Sequence, residues 1–352
     1  MNQSEKISMA AVGLFFGEHL IKEIVSGRAE PYISLCGVCD LNAELASEVA
    51  ERYDTRVYAS LDEILADPEI ESVGLFTPPA GRAELIRKII RAGKHVMTTK
   101  PFEVDADEAL SVLQEARSLG KAVHLNSPSA LPDPETAQIL QWQQEFDLGQ
   151  PVGVRWETYS SLREKADGSW QDDPERCPVA PIFRLGIYGI NQLLRLCGTV
   201  EAVHVMHSRI FTGRPTPDNA ELSLRFSSGA LASVFVSFCI DDGHRLPDVL
   251  TLHYKRGTVR VRALEVDAGM FVTAKELLLQ MRQEDGAVLN RRIEMFDYGP
   301  LNNYQWKNFH SAVRNGGTVD GEVSPEQVAH SIWIISAMRT ADQTGAQVLI
   351  DG

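Results

Sequence analysis

Several stretches of this sequence put residues capable of cofactor or proton chemistry where strands end. Asp40 closes "YISLCGVCD" (32–40), one strand–helix–strand length after Gly13 closes "ISMAAVG" (7–13). In such a unit an acid after the second strand takes the ribose hydroxyls of an adenine dinucleotide, and glycine after the first lets backbone approach the pyrophosphate. No Arg or Lys follows in "CDLNAELAS" to accept a 2′-phosphate, which favours NAD over NADP. The same aspartate also suits a solvated turn or a helix cap. Thr77-Pro78-Pro79 in "FTPPAGRAE" (76–84) reads as the end of a fourth strand, where the nicotinamide side of a cofactor would pass; its prolines fix the turn and remove donors. Lys100 in "HVMTTKPFE" (95–103) reads as the end of a fifth. A lysine there, in a cleft, can hydrogen-bond and polarise a substrate hydroxyl, although a lone lysine also suits an exposed surface. Asn126, ending a sixth strand in "KAVHLN" (121–126), is a candidate for hydrogen bonds to cofactor or substrate. Tyr304, Trp306 and His310 in "NNYQWKNFH" either reach the cleft or fill the core.

The stretch "VGLFFGEHL" (12–20) stands where a dinucleotide-binding chain carries G-x-G-x-x-G, yet it holds only Gly13 and Gly17, separated by Leu14, Phe15 and Phe16. By itself it is weak evidence for a cofactor. Metal chemistry is not expected. His19, His124, His244 and His253 lack H-E-x-x-H or H-x-x-E-H spacing. Cys36 and Cys39 form a C-x-x-C, but on a strand such residues point to opposite faces, and no second pair completes a zinc site. They read as buried core thiols.

The elements that must position these residues alternate. Through residue 126, strand patterns at 7–13, 32–40, 71–79, 94–101 and 121–126 are separated by helical patterns at 18–27, 42–53, 60–67, 83–93 and 105–120. Asn42 suits an N-cap and Ser60-x-x-Glu63 a capping box. This alternation implies an α/β fold, an N-terminal Rossmann doubly wound parallel sheet that binds ligands at the carboxyl ends of its strands. After the Pro- and Ser-rich "SPSALPDP" (127–134) the texture changes. One helix pattern (135–147) precedes strand-like runs at 152–162, 201–211, 220–240, 249–263 and 269–281, with turns at "SSG" (227–229) and "KRG" (255–257). A C-terminal α+β domain with a large, mostly antiparallel open sheet follows. Residues 324–345 pattern as a strong amphipathic helix opened by a Ser324–Gln327 capping box. The expected domains are 1–127 and 128–352, with the last helix able to pack back on the first.

Bulk properties narrow the function classes. A chain of 352 residues favours two domains. The net charge of −14 argues against a nucleic-acid partner, since binding phosphates needs a basic surface. No apolar run is long enough to span a membrane, and "MNQSEKIS" lacks a signal-peptide core, so a cytoplasmic location is expected. Five cysteines without a secretory signal read as free thiols.

Taken together, Gly13 to Gly17, Asp40, Thr77-Pro78-Pro79 with Arg82, and Thr99-Lys100-Pro101 resemble the Gfo/Idh/MocA family, the glucose–fructose oxidoreductase and inositol dehydrogenase group. "APIFRLGIYGINQLLRLCG" (180–198) is similar to that family's D-x-G-x-H/Y-x-x-D helix, matching at Gly186 and Tyr188. The segment around "SPEQVAHSIWIISAMRTADQTGAQVLI" resembles the family's closing segment. The resemblance spans nearly the whole chain. It implies an NAD-dependent oxidoreductase that exchanges hydride with a secondary alcohol or ketone of a sugar, glycoside or cyclitol, assembled as a homodimer or homotetramer. Lys100 and Tyr188 would be catalytic; Tyr188 could act as acid–base if Lys100 lies close enough to lower its pKa from about 10. The cofactor would meet Gly13, Phe15, Phe16, Gly17, Asp40, Thr77, Pro78, Arg82, Thr99, Lys100 and Asn126. Aligned with the family, the glycine loop is one residue shorter, with Phe15 or Phe16 in place of the middle glycine, so phosphate binding should lean on Gly17 and the helix amides after it.

The departures define the alternatives. Thr99 replaces the usual Glu before Lys, Arg82 the usual His, and Arg184 and Asn191 the acids of the helix motif. Arg184 would suit a carboxylate, phosphate or keto oxygen, or pairs with one of the chain's many acids. Trp170, in a loop placed near the active site by the resemblance, stacks on a sugar ring or serves packing. With Lys100, Tyr188 and Asn191 these form the substrate-side set. The other readings are an NAD-binding sensor or regulator without dehydrogenase activity, and an enzyme using NAD transiently for elimination or glycoside cleavage.

Overall fold

The computed structural model describes residues 6–160, 165–241, 249–264, 273–297 and 303–350. The chain forms two compact units. The first comprises Met1–Leu131 with Pro300–Ala329, the second Pro132–Gly299 with His330–Gly352.

In the first unit, the apolar runs become β1 (Ile7–Val12), β2 (Ile33–Cys39), β3 (Ser72–Leu75), β4 (His95–Thr98) and β5 (Val123–Leu125). Between them lie α1 (Leu14–Ser26), α2 (Ala43–Arg52), α3 (Leu61–Ala66), α4 (Arg82–Arg91) and α5 (Ala106–Ser118). The strands are parallel in the order β2-β1-β3-β4-β5. Chain direction across the sheet reverses between β1 and β3, which is where open α/β sheets form their ligand crevice. The stretch between α2 and α3 contributes only the isolated bridge Val38–Val57. The strands before Thr77, Lys100 and Asn126 are therefore the third, fourth and fifth, in agreement with the five strand patterns and not with the numbering of them as fourth, fifth and sixth. Local caps form as expected: Asn42 Oδ1 accepts the amides of Glu44 and Leu45, and Ser60 Oγ accepts that of Glu63.

The second unit begins with α6 (Pro134–Glu145) and β6 (Pro151–Tyr159). A π-helical turn, Ile182–Gly186, runs directly into α7 (Ile187–Cys197). Seven further strands follow: β7 (Val200–Ser208), β8 (Asn219–Phe226), β9 (Leu231–Ser237), β10 (Val249–Tyr254), β11 (Gly257–Leu264), β12 (Thr273–Arg282) and β13 (Val288–Asp297). Helices α8 (Trp306–Arg314), in the first unit, and α9 (Pro325–Thr344) precede the short β14 (Val348–Leu349). The nine strands form one sheet, ordered β13-β12-β11-β10-β6-β9-β8-β7-β14, with only β6 and β9 parallel. Alternation along β6 buries Val154, Trp156 and Thr158 on one face and exposes Arg155 and Glu157 on the other.

Three expectations change. The strands β13 and β14 were not read from the sequence. The Ser324–Gln327 capping box forms in both directions, but α9 is buried on nearly all sides from Val328 to Ile335 rather than amphipathic. His330 and Ser331 are buried there among apolar residues, and the exposed positions are Glu326 and Gln327 at the start, Ser336, Thr340 and the last turn from Asp342. All five cysteines are free thiols, and Cys36 is only half-buried; burial raises the pKa of both Cys36 and Cys39. None of the described helices is long and apolar enough to cross a membrane.

Candidate active site

Across the first unit's sheet, the residues beyond the strand ends run in the order Asp40, Gly13, Thr77, Lys100, Asn126. Hydrogen bonds join the Asp40 and Gly13 segments and the Lys100–Asn126 pair directly, the β1 and β3 ends meet through the Phe76 amide and the Val12 carbonyl, and Arg82 bridges the segments of Thr77 and Lys100. Gly13 has a φ of 86°, and a side chain there would sit 2.9 Å from the Phe76 carbonyl carbon and 3.0 Å from the Thr77 nitrogen. Glycine is required on both counts. Helix α1 starts at the next residue. The Gly13 amide donates to the Cys39 carbonyl (3.0 Å) and the Leu14 amide to Asp40 Oδ2 (2.7 Å), while Asp40 Oδ1 accepts from the Asn42 amide (2.9 Å).

This geometry moves the open helix amides upstream of Gly17. By helix geometry the amides of Phe15 and Phe16 have no carbonyl within the helix to meet, so they and the positive end of the helix dipole face outward. Gly17 lies inside α1 with its Cα against the Phe76 ring, where an added Cβ would come within 3.0 Å. Phe15 and Phe16 themselves are exposed. Thr77 Oγ1 is buried without a hydrogen-bond partner among the described residues. An acid, outward amides and an orphaned hydroxyl in one row at the carboxyl end of a parallel sheet fit a dinucleotide.

Arg82 is 1% exposed and reaches across two strand ends. Its Nη2 donates to the Thr77 carbonyl, and its Nη1 to the carbonyls of Thr99 (2.6 Å), Pro101 and Phe102 (3.1 Å). Burial pushes the guanidinium down to about 10, so it remains charged at neutral pH. The nearby Glu103 carboxylate, also buried, accepts the amides of Gly81 (3.2 Å), Ala83 (2.8 Å) and Val104 (2.8 Å), capping α4. On the other side, Asn126 Oδ1 accepts the Lys100 amide at 2.9 Å, with the Thr99 hydroxyl at 3.4 Å. Lys100 is half-buried, whereas Thr99 and Asn126 are buried. Pro78 is exposed at the rim.

The second unit carries the other set. Tyr188 is the second residue of α7 and half-buried; Asn191, one turn on, is buried. The preceding π-helical turn holds Arg184, whose guanidinium lies 4.9 Å from the centre of the Phe238 ring. Such turns recur at functional sites. Helix α7 sits on the sheet through Gly189, where an added Cβ would come within 2.5 Å of the buried Trp156 indole. Trp156 Nε1 donates to Gln192 Oε1 (3.0 Å), and Gln192 Nε2 to Glu135 Oε1 (2.7 Å). Glu135 in turn pairs with Lys275 at 2.8 Å. Trp170 packs edge-on to Phe183 at 6.3 Å.

Local sequence patterns gave no sign of several residues that hold these segments. Buried Arg214 pairs with Asp172 at 2.7 Å and so anchors the turn carrying Trp170. Glu103 works through backbone groups, which leave no mark in residue types, and so does Arg82, which the resemblance had placed with the cofactor. Tyr304, Trp306 and His310 are core: Tyr304 stacks on Trp306 at 5.6 Å, and His310 meets Tyr32 at 5.9 Å. Among the described residues no three His, Cys, Asp or Glu are grouped to hold a metal; His244 lies outside them.

Comparison with known proteins is consistent across the chain. Residues 7–127 match the model of an oxidoreductase family with an NAD-binding Rossmann fold, GFO/IDH/MocA, and residues 136–260 match that family's C-terminal domain. The UDP-N-acetylglucosamine 3-dehydrogenase of Acidithiobacillus ferrooxidans is 36% identical over 58% of this chain and 59% of its own length. The scyllo-inositol 2-dehydrogenase (NADP(+)) of Bacillus subtilis is 28% identical over 43% of this chain and 41% of its own. An uncharacterised oxidoreductase of Schizosaccharomyces pombe is 32% identical over 42% of this chain and 39% of its own. These matches thus span less than two thirds of the curated relatives. In fold, a levoglucosan dehydrogenase solved with NADH and levoglucosan superposes with a TM-score of 0.76, covering 99% of this chain and 100% of that one at 17% identity. An NAD-binding oxidoreductase from Klebsiella pneumoniae gives 0.77, with 99% of each chain covered at 16% identity.

Proposed function

Because this chain belongs to the GFO/IDH/MocA oxidoreductase family, we propose that it is an NAD-dependent dehydrogenase or reductase acting on a secondary alcohol or ketone of a sugar, glycoside or cyclitol. The observation that carries this reading is the row of strand ends along one edge of the parallel sheet, in the order Asp40, Gly13, Thr77, Lys100, Asn126, with Asp40 bonded to the start of α1 and Lys100 to Asn126. A bound nicotinamide supplies or accepts the hydride. Asp40 would hold the adenosine ribose, and the absence of a cation after it supports NAD over NADP. The amides of Phe15 and Phe16 would face the pyrophosphate, and Thr77 Oγ1 would find its partner on the cofactor. Lys100 is assigned the hydrogen bond to the reacting oxygen and Tyr188 the proton transfer, with Arg184, Asn191 and Trp170 selecting the substrate. These assignments rest on the sequence match at Lys100-Pro101 and at Gly186 and Tyr188. Arg184 favours substrates with a carboxylate, phosphate or keto oxygen within its reach.

The test is hydride transfer, followed at the nicotinamide absorbance, against a panel of sugars, glycosides and cyclitols with NAD and NADP. Turnover with NAD is expected, and Lys100→Ala and Tyr188→Phe should each lower kcat by roughly 10²–10⁴-fold. Full turnover in both variants removes the catalytic assignment. NADH binding with no turnover across the panel favours the sensor reading instead.

A further inference from the structure

We propose that Arg82 and Asn126 are positioning residues for Lys100: they hold its backbone from both sides and bind the ends of β3, β4 and β5 into one rim, with no contact to cofactor or substrate required. The inference rests on the reading of Lys100 as the group that meets the reacting oxygen.

Beyond Thr98 the chain leaves β4, and the carbonyls of Thr99, Pro101 and Phe102 lose their partners in the sheet. Buried carbonyls must be paired. Arg82 does this with one planar group, taking three carbonyls around Lys100 on Nη1 and the Thr77 carbonyl on Nη2. The charged donors make each bond stronger than a neutral one. Of Lys100's own backbone groups, the amide is taken by Asn126 Oδ1 at 2.9 Å and the carbonyl faces the Thr99 hydroxyl at 3.4 Å. Lys100 thus has the carbonyls before and after it held from α4 and its own amide held from β5. A lysine side chain has a long flexible stem, so its aim depends on where its Cα is fixed. A misplacement of about 1 Å at a reacting group can cost roughly 100-fold in rate.

Arg82 cannot do this by charge alone. A lysine at this position keeps the cation but presents one nitrogen, without the fork that bridges the β3 and β4 ends. The clamp therefore predicts that Arg82→Lys behaves like Arg82→Met. A role for Arg82 in holding the cofactor's charge predicts rescue by lysine.

The experiment uses the full chain. Hydrogen–deuterium exchange is read by mass spectrometry on peptides covering residues 99–104, in the wild type, Arg82→Lys, Arg82→Met and Asn126→Ala. NADH affinity is measured by fluorescence, alongside kcat and KM on a substrate the panel turns over. In the wild type the Lys100 amide should be protected. In all three variants exchange at 99–104 should rise by roughly tenfold or more while peptides elsewhere keep wild-type rates. NADH affinity should stay within about threefold, and kcat should fall by roughly tenfold or more with KM little changed. An unprotected Lys100 amide in the wild type overturns the proposal, and this measurement decides if a variant does not fold. Wild-type exchange in Arg82→Lys, or NADH affinity lost in Arg82→Met and restored in Arg82→Lys, also overturns it. A wild type with no turnover at all removes the dehydrogenase reading but leaves the exchange result standing. Normal wild-type turnover with unchanged variants removes the clamp alone.

Discussion

Both carboxylate oxygens of Asp40 accept backbone amides, one from the first residue of α1 and one from Asn42. The two functions weighed for this residue, helix cap and ribose acceptor, are therefore compatible: the cap fixes the carboxylate while each oxygen keeps a further lone pair. Asp40→Ala should weaken NADH binding by roughly tenfold through loss of a charge-assisted bond. It should also destabilise the fold by about 0.5–2 kcal/mol through the lost cap. Fluorescence titration and urea denaturation read the two separately. Unchanged affinity would sink the ribose role, and unchanged stability the cap. The type and position of Asp40 are legible in sequence because one residue carries the chemistry. Arg82 is not, because its partners are carbonyls of residues 77, 99, 101 and 102, and any residue type could supply them. Read by resemblance alone, Arg82 stood with the cofactor; the structure shows it bonded to the backbone that carries Lys100.

Among the elements, those with local start signals were the most legible. Asn42, Ser60 and Ser324 each cap the helix that their spacing indicated. The start of α1 was not, because Gly13 alone ends the strand and opens the helix, and nothing in "LFFG" marks a cap. Strand β13 is hard to read because it lies at the edge of the sheet: its inner face, Leu289, Arg291, Ile293 and Met295, is broken by an exposed arginine and only half-buried, while the other face is exposed throughout. The seating of α7 was legible only as "Gly186 and Tyr188 match". The physical reason lies at Gly189, which lets the helix lie flat on Trp156. Gly189→Ala would force a methyl into the indole plane, at 2.5 Å from its nearest atom. Trp156 is buried and held by Gln192, so it cannot swing clear. A destabilisation of about 1–3 kcal/mol is expected, typical of overpacking, and the role proposed for Tyr188 predicts lowered turnover as well, since Tyr188 is on the same helix. Urea denaturation of Gly189→Ala with wild-type midpoint would show that α7 can lift off the sheet freely.

For the molecule as a whole, the acid side of the stability profile sets two effects against each other. The net charge of −14 at pH 7 shrinks toward zero near the isoelectric point of about 5.1, so general self-repulsion relaxes as the pH falls and favours the fold. His95, at the start of β4, opposes this. Burial, aided by the charge of Lys121, pushes its pKa from 6.5 down to about 4. Its Nδ1 accepts the Ala122 amide at 3.0 Å, a bond that needs the neutral ring. The unfolded chain therefore takes up this proton below about pH 6.5 while the folded chain resists it until about pH 4. Stability is lost progressively across that window and is fully present above it. Each tenfold difference in proton affinity is worth about 1.4 kcal/mol, and the half-exposed ring is screened by solvent, so the loss should be on the order of 1–2 kcal/mol. His95→Asn retains an acceptor for the Ala122 amide but no titrating group. Urea denaturation between pH 7 and pH 4.5 should show the wild type losing stability relative to this variant, with the gap opening below pH 6.5. Parallel profiles would mean that His95 is protonated equally in the folded and unfolded chains, and that the acid response belongs to the carboxylates instead.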